Sequence, residues 1–251
     1  GNMDLGIQDF YGVADMDGDT NLDVVYRGSD GSTFGLRILD NDGAGNFTDS
    51  GYHNSTIGYP TIGLGDLDND GDVDIAYARS YYPNTHIDFL LQDSPGAFSA
   101  GTLVVAENAG FPDDLQVVDM NGDGQAELLL DGDGDVQYFF PNAGGATFDP
   151  EVSYNVLWKP ANLDGNSDLD FFVLDPNFNT YENQGSFSFS PNSAILISGT
   201  SYDTDAVDID NDGDIDIVQG GDLKVWINDG FGSFSLSQQQ PNLEYEKQVF
   251  G

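Results

Sequence analysis

The sequence contains no cysteine, only six lysines and arginines, two histidines, and no apolar run approaching the roughly 18 residues of a membrane span. Without cysteine there is no disulfide framework and no thiolate chemistry, and redox usage says nothing about compartment. Six cations against 44 acids give a formal charge of -38. Binding nucleic acid phosphates or an anionic membrane surface needs clustered Lys or Arg, so both are excluded as partners of a basic patch. A sustained 3.6-residue apolar pattern is also missing, which argues against long helices. The opening Gly1-Asn2-Met3 lacks a signal peptide's basic and apolar regions. With Gly1 ahead of Met3, that opening is compatible with a leader removed from the chain.

What is present supports a folded protein. Hydrophobic residues make up 39% and aromatics 12% of the 251 residues, enough for a core despite the charge. At this length one all-β domain, spanning 1–251, is the expectation. Thirty-two glycines, with Asn and Pro, punctuate short runs rich in Val, Ile, Phe and Tyr, as strands separated by turns require. The tail from Gln238 to Gly251 is the least patterned stretch and reads as a closing strand or an unstructured end.

Five segments repeat: DMDGDTNLDVVY from Asp15, DLDNDGDVDIAY from Asp66, DMNGDGQAELLL from Asp119, NLDGNSDLDFFV from Asn162 and DIDNDGDIDIVQ from Asp208. Each is acidic and then abruptly apolar. Their spacing is close to the 40–50 residues or so of a propeller blade. Between 20 and 26 residues after each loop start a second feature recurs, as NDGAGNF at Asn41, QDSPGAF at Gln92, PNAGGATF at Pro141, ENQGSF at Glu182 and NDGFGSF at Asn228. Asn, Asp and Gly supply the positive φ of tight turns, so these read as hairpins. Each repeat thus offers a strand, an acidic loop, an apolar strand, a third strand, a Gly turn and a fourth strand. Four antiparallel strands per repeat make a propeller blade, and five repeats predict five blades.

The D-x-D-x-D-G-x-x-D loops alternating with G-x-F turns resemble the FG-GAP or VCBS repeat family, which includes integrin α-subunit propellers. The resemblance covers nearly the whole chain. It implies a β-propeller with calcium between strands 1 and 2 of its blades, and roles in adhesion and in glycan or protein recognition, without specifying one ligand.

The residues themselves suit calcium, which takes six to eight hard oxygen ligands. Asp66, Asp68, Asp70 and Asp74 hold positions 1, 3, 5 and 9 of their loop, with Gly71 at the turn and Asp72 lending a carbonyl at position 7. Asp208, Asp210, Asp212, Asp214 and Asp216 repeat this arrangement. The first loop offers Asp15, Asp17, Asp19, Asn21 and Asp23, although Thr20 stands where Gly is usual and Gly18 lies two places earlier. The third offers Asp119, Asn121, Asp123, Gln125 and Glu127. The fourth, with Asn162, Asp164, Asn166, Asp168 and Asp170, keeps only two carboxylates at the ligand positions and has Ser167 in place of Gly, so it is the weakest. The expectation is three to five Ca2+ ions. The alternative is that these are solvated acidic turns, because Asp, Asn and Gly favour turns without metal. Concentrating so many acids in nine residues costs a repulsion that a divalent cation would relieve.

The opposite ends of the blades differ among repeats and are where recognition is expected. The segment ARSYYPNTHID reads as the longest loop there, and Arg79, Tyr81, Tyr82, Asn84 and His86 combine stacking surfaces with hydrogen-bonding groups as a sugar site would. Tyr11, Tyr59, Phe111, Trp158 and Tyr202 recur before the inner strands, either ringing a channel mouth or packing between blades, and packing is the expectation for Phe111. Arg27, Arg79 and Lys159 map to the same face and hint at an anionic ligand such as a uronic or sulfated glycan. The functional expectation is a noncatalytic module, extracellular, periplasmic or at the cell surface, recognising a glycan or a protein. Its rivals are a propeller glycosidase or lyase using carboxylates among Asp9, Asp113, Asp114, Asp203 and Asp205, and a structural spacer of a larger surface protein.

Overall fold

The computed structural model describes residues 7, 9–29, 34–54, 60–134, 136–154, 158–173, 179–184, 188–194, 204–219 and 223–239. These hold 21 strands and no helix. The first sheet runs β1 (Asp9–Ala14), β2 (Asp23–Ser29), β3 (Phe34–Asn41) and β4 (Phe47–Asn54), paired in that order. The second contains β5 (Thr61–Gly65), β6 (Asp74–Tyr81), β7 (Asn84–Ser94), β8 (Ala97–Ala100) and β9 (Val104–Ala106). The third is β10 (Asp114–Val118), β11 (Glu127–Gly132), β12 (Val136–Phe140) and β13 (Val152–Tyr154). The fourth is β14 (Trp158–Ala161), β15 (Asp170–Val173), β16 (Asn179–Asn183) and β17 (Phe189–Ala194), and the fifth β18 (Thr204–Val207), β19 (Asp216–Gln219), β20 (Lys224–Asn228) and β21 (Phe234–Gln239). Every pairing is antiparallel between consecutive strands, as in propeller blades, with one departure. In the second sheet the outer strand is divided: β8 pairs with Leu90–Ser94 of β7 and β9 with Thr85–Ile87. Gly101 lies at the break, where a Cβ would stand 2.9 Å from Phe89 Cβ.

The chain packs as two compact units, Gly1–Asp119 with Asp123–Asn155, and Met120–Gly122 with Val156–Gly251. In the first, core lies on both faces of the second sheet. Ile75 and Tyr77 of β6 join Met16, Val25, Leu36 and Ile38, whereas the alternate residues Ala76 and Ala78 join Leu115, Leu128, Leu130 and Phe140. The two-residue period of a strand therefore buries both faces, which is why the run after each acidic loop is continuously apolar. Glycine lets the inner strands approach: a Cβ on Gly65 would lie 2.6 Å from Val117 Cγ1. In the second unit Ala161, Leu163, Phe172 and Ile217 form the buried cluster, with Trp226 and Phe234 against it.

Candidate functional site

All five acidic loops join strand 1 to strand 2 of their sheet, as the sequence predicts, and share one hydrogen-bond template. The position-1 side chain accepts backbone N–H groups from positions 4 to 6. Asp15 takes Gly18, Asp19 and Thr20 at 2.8–3.1 Å, and Asp66 takes Asn69, Asp70 and Gly71 at 2.7–3.2 Å. Asp208 takes Asp212 and Gly213, Asp119 takes Gly124, and Asn162 takes Gly165. In every loop the position-5 side chain (Asp19, Asp70, Asp123, Asn166 or Asp212) accepts the position-7 N–H, from Asn21, Asp72, Gln125, Asp168 or Asp214 respectively. Position 4 has positive φ throughout, in Gly18, Asn69, Gly122, Gly165 and Asn211. Position 6 is also left-handed where it is Gly71, Gly124 or Gly213, and the first loop holds Thr20 there at φ 74°.

This folding brings carboxylates together. Ligand atoms lie within 4.8 Å of one another in Asp15, Asp17 and Asp19, in Asp66, Asp68 and Asp70, in Asp164, Asp168 and Asp170, and in Asp208, Asp210 and Asp216. The fourth loop, with the fewest acids at its ligand positions, reaches three by turning in Asp168 from position 7. The third loop forms no such group among the described residues. Asp17, Asp68 and Asp210 are all raised above the ordinary carboxylate range, by desolvation first and then by neighbouring carboxylates. In two of the groups a buried oxygen, Asp68 Oδ1 or Asp168 Oδ1, has no hydrogen-bond partner. Orphaned anionic oxygens beside like charges fit a hard cation and fit no other neighbour in these loops.

Position 9 has a second role that its spacing hid. In Asp23, Asp74, Asp170 and Asp216, Oδ2 accepts the position-2 N–H of the loop (Met16, Leu67, Leu163 or Ile209) at 2.7–3.0 Å. Oδ1 accepts the N–H of a residue at the end of strand 3, where it enters the turn to strand 4 (Asn41, Gln92, Asn183 or Asn228), at 2.7–2.9 Å. Burial pushes Asp74 and Asp170 up to about 6 against the lowering effect of these bonds. The turn residue then reaches across sheets. Asn142 Nδ2 donates to Leu67 O at 2.8 Å, and within the second unit Asn183 donates to Met120 O at 2.8 Å and Asn228 to Leu163 O at 2.7 Å. The turn glycines matter for a related reason. A Cβ on Gly43, Gly144 or Gly230 would lie 2.5–2.9 Å from the position-7 side chain, Asn21, Gln125 or Asp214.

At the other end of the second sheet the expected long loop is a tight hairpin instead. Arg79 pairs with His86, Ser80 with Thr85 and Tyr81 with Asn84 across β6 and β7, leaving Tyr82 and the cis-linked Pro83 as the turn. Tyr81, Asn84, Thr85 and His86 continue the strands because aromatic and β-branched residues pair well across a ladder. The hairpin is braced by the following segment: Gly110 N donates to Pro83 O, Thr85 Oγ1 to Gly110 O and Asn108 N to Asn84 Oδ1. The aromatics stay outside. Tyr81 is 52% and Tyr82 75% exposed, and the Tyr81 and His86 rings stack at 4.3 Å. Phe111, expected to pack between blades, is 60% exposed and faces Tyr82 at 6.3 Å because the brace turns it outward.

The cations expected to await an anion are engaged. Arg27 meets Asp9 at 3.2 Å, Arg79 bonds Asp88, and Lys159 Nζ donates to Thr204 O at 2.7 Å. The hint of an anionic ligand is withdrawn, because each cation has an internal acceptor. Among the carboxylates weighed for catalysis, Asp9 is paired in this way, Asp205 is exposed, and Asp114 stands opposite Asp131 across β10 and β11. Burial, then Asp114 and Asp113, push Asp131 up to about 6 while it accepts Gln137 Nε2 at 2.7 Å. Asp203, Tyr59, Tyr202, the Trp158 side chain and the tail beyond residue 239 lie outside the described residues.

Fold and loops together define a β-propeller-type repeat protein with clustered carboxylates between the first two strands of its blades. A family model described as the FG-GAP-like repeat matches residues 15–77 and 66–130. The repeats within those spans are FG-GAP-like, and the loops at Asn162 and Asp208 show the same hydrogen-bond template beyond them. No curated protein matches the chain. FG-GAP repeats are typical of extracellular and surface proteins, and among the described residues no helix is long and apolar enough to cross a membrane.

Proposed function

We propose that the protein is an extracellular, calcium-binding and noncatalytic recognition module whose acidic loops hold Ca2+ and whose Tyr81-Tyr82 hairpin contacts a glycan. Calcium suits the loops because every converging donor is oxygen, with neither imidazole nor thiolate among them. Asp15, Asp17 and Asp19, with their counterparts in the second, fourth and fifth loops, would hold the ions. The bound metal would offset part of the loop's negative charge and fix the start of strand 2.

The observation that carries the recognition reading is the exposed aromatic cluster of Tyr81, Tyr82 and Phe111 on a braced hairpin. Three rings held out to solvent, at the end of a paired strand, in its turn and on the brace, give flat apolar faces at low entropic cost, and the tyrosine hydroxyls add hydrogen-bonding ends. Sugar rings present matching C–H faces. A glycan array probed with the wild-type protein in calcium, followed by Tyr82→Ala, tests this reading. The expected result is at least tenfold weaker binding to the best glycan with the fold unchanged by circular dichroism. Unaltered binding would move the site elsewhere, and an array with no binder, alongside capture of one extracellular protein, would favour a protein partner.

A further inference from the structure

The second unit contains a cavity of about 90 Å3 between the fourth acidic loop and the fifth sheet, lined by Asn162, Leu163, Gly165, Asp214 and Asn228 among others. Its lining joins apolar Leu163 and Ile215 to polar Asn162, Asp214 and Asn228. Asn228 is 3% exposed, and its Nδ2 donates to Leu163 O at 2.7 Å and Ile215 O at 3.0 Å, which fixes the orientation of the amide. The remaining atom, Asn228 Oδ1, is buried without a hydrogen-bond partner. The same atom of Asn41 accepts Gly43 N at 3.1 Å and that of Asn142 accepts Gly144 N at 2.9 Å, so the fifth sheet alone of these three leaves it open. Beside it, the Asp214 carboxylate rests on Gly230, where a Cβ would come within 2.5 Å of Oδ2. Gly230 O in turn approaches Gly165, at 3.4 Å from where its Cβ would be. No cationic side chain lines the space, and Asp214 feels the charges of Asp212, Asp208, Asp216 and Asp229.

A buried amide oxygen without a donor and a carboxylate surrounded by carboxylates demand the same thing, a positive partner. The volume exceeds the roughly 10–15 Å3 that one water needs, leaving room for an ion and part of its hydration shell. We propose that this cavity is a second kind of cation site, distinct from the loop clusters, which takes a hydrated hard divalent cation through Asn228 Oδ1 and the Asp214 carboxylate. It would join the fourth acidic loop to the last turn, and it depends on side chains that the Asp208, Asp210 and Asp216 cluster does not use.

Crystals of the unaltered protein grown in calcium chloride and soaked in a terbium salt test the site directly. The expected result is an anomalous peak about 2.3–2.6 Å from Asn228 Oδ1 and an Asp214 oxygen. It would be separate from any peak in the Asp208 cluster, so the two kinds of site succeed or fail independently. Water alone in the cavity overturns the proposal. In solution, isothermal titration with calcium chloride should show Asp214→Asn losing one bound ion, Asp208→Asn losing a different one, and the double variant losing both. Wild-type stoichiometry in Asp214→Asn, or no further loss in the double variant than in Asp208→Asn, also overturns it.

Discussion

Replacing Asn142 with alanine tests whether a turn side chain ties one sheet to the next. Asn142 is 6% exposed and makes three hydrogen bonds: Nδ2 to Leu67 O at 2.8 Å, Nδ2 to Ala126 O at 2.9 Å, and Oδ1 from Gly144 N at 2.9 Å. The losses are unequal. Leu67 O keeps a partner, because Ala146 N also donates to it at 3.0 Å. Ala126 O and Gly144 N lose theirs, and each buried polar group left unpaired costs about 1–3 kcal/mol. Gly144 is half-buried and can be rescued by water, which brings the expected destabilisation to about 2–3 kcal/mol. Asn41→Ala is the internal control. Asn41 is less buried and its Nδ2 bond to Leu22 O is exposed, so about 0.5–1 kcal/mol is expected. Urea unfolding at fixed calcium, followed by tryptophan fluorescence and circular dichroism together, gives both midpoints. Equal midpoints for the two variants, or an Asn142→Ala midpoint matching wild type, would refute the cross-sheet tie.

Three further outcomes follow from the same contacts. Thr20→Gly should stabilise the apo protein by about 0.5–1 kcal/mol, because a β-branched residue at φ 74° carries strain that exceeds the flexibility glycine adds; a lower melting temperature would contradict this. Asp131 has a folded pKa near 6, above that of a free carboxyl, so its protonated form favours folding at low pH and that contribution is lost as pH rises through about 6. Asp131→Asn should therefore gain about 1 kcal/mol at pH 7.5, after discounting for partial exposure, and gain nothing at pH 4, as equilibrium unfolding at the two pH values would show. Chelation should lower the melting temperature, since a cation at a hundredfold excess over its dissociation constant contributes about 2.7 kcal/mol per site. An unchanged melting curve would exclude stabilising occupancy of the loops.

The acidic loops, the strand after each and the Gly turns were legible because each depends on local chemistry repeated in register. What spacing could not supply was the direction of side chains. Asp23, Asp74 and Asp216 look like further ligands in a D-x-D-x-D pattern, yet both of their oxygens also hold backbone N–H groups of the loop and the turn. Asparagine stood in four of the five quoted turns, at 41, 142, 183 and 228, with Gln92 in the other, and that recurrence was the available signal. Nothing local revealed that the amides of Asn142, Asn183 and Asn228 span to another loop, as the 75 residues between Leu67 and Asn142 show. The Tyr81-Tyr82 segment misled for the opposite reason. Its polar and aromatic composition suggests a loop, but Thr85 and His86 complete a ladder whose brace lies more than twenty residues downstream, at Asn108 and Gly110.

Strand β6 links the two ends of this design. It begins at Asp74, which orders the second acidic loop, and ends at Tyr81 in the aromatic hairpin, about 23 Å away at 3.3 Å per residue. Between them its side chains alternate into two cores and leave none of Ile75 to Ala78 exposed. A cation in the Asp66, Asp68 and Asp70 cluster would thus anchor one end of a buried rod whose other end carries the exposed rings. Packing on both faces resists bending, so metal binding should affect the hairpin through the stability of the whole sheet rather than by moving it. Calcium would then change how much folded protein is available to bind, while the affinity of the folded fraction stays constant. Titrating ligand at two calcium concentrations, both well below the melting temperature, separates the cases: a shifted dissociation constant with an unshifted folded fraction would mean that the loop and the hairpin are directly coupled.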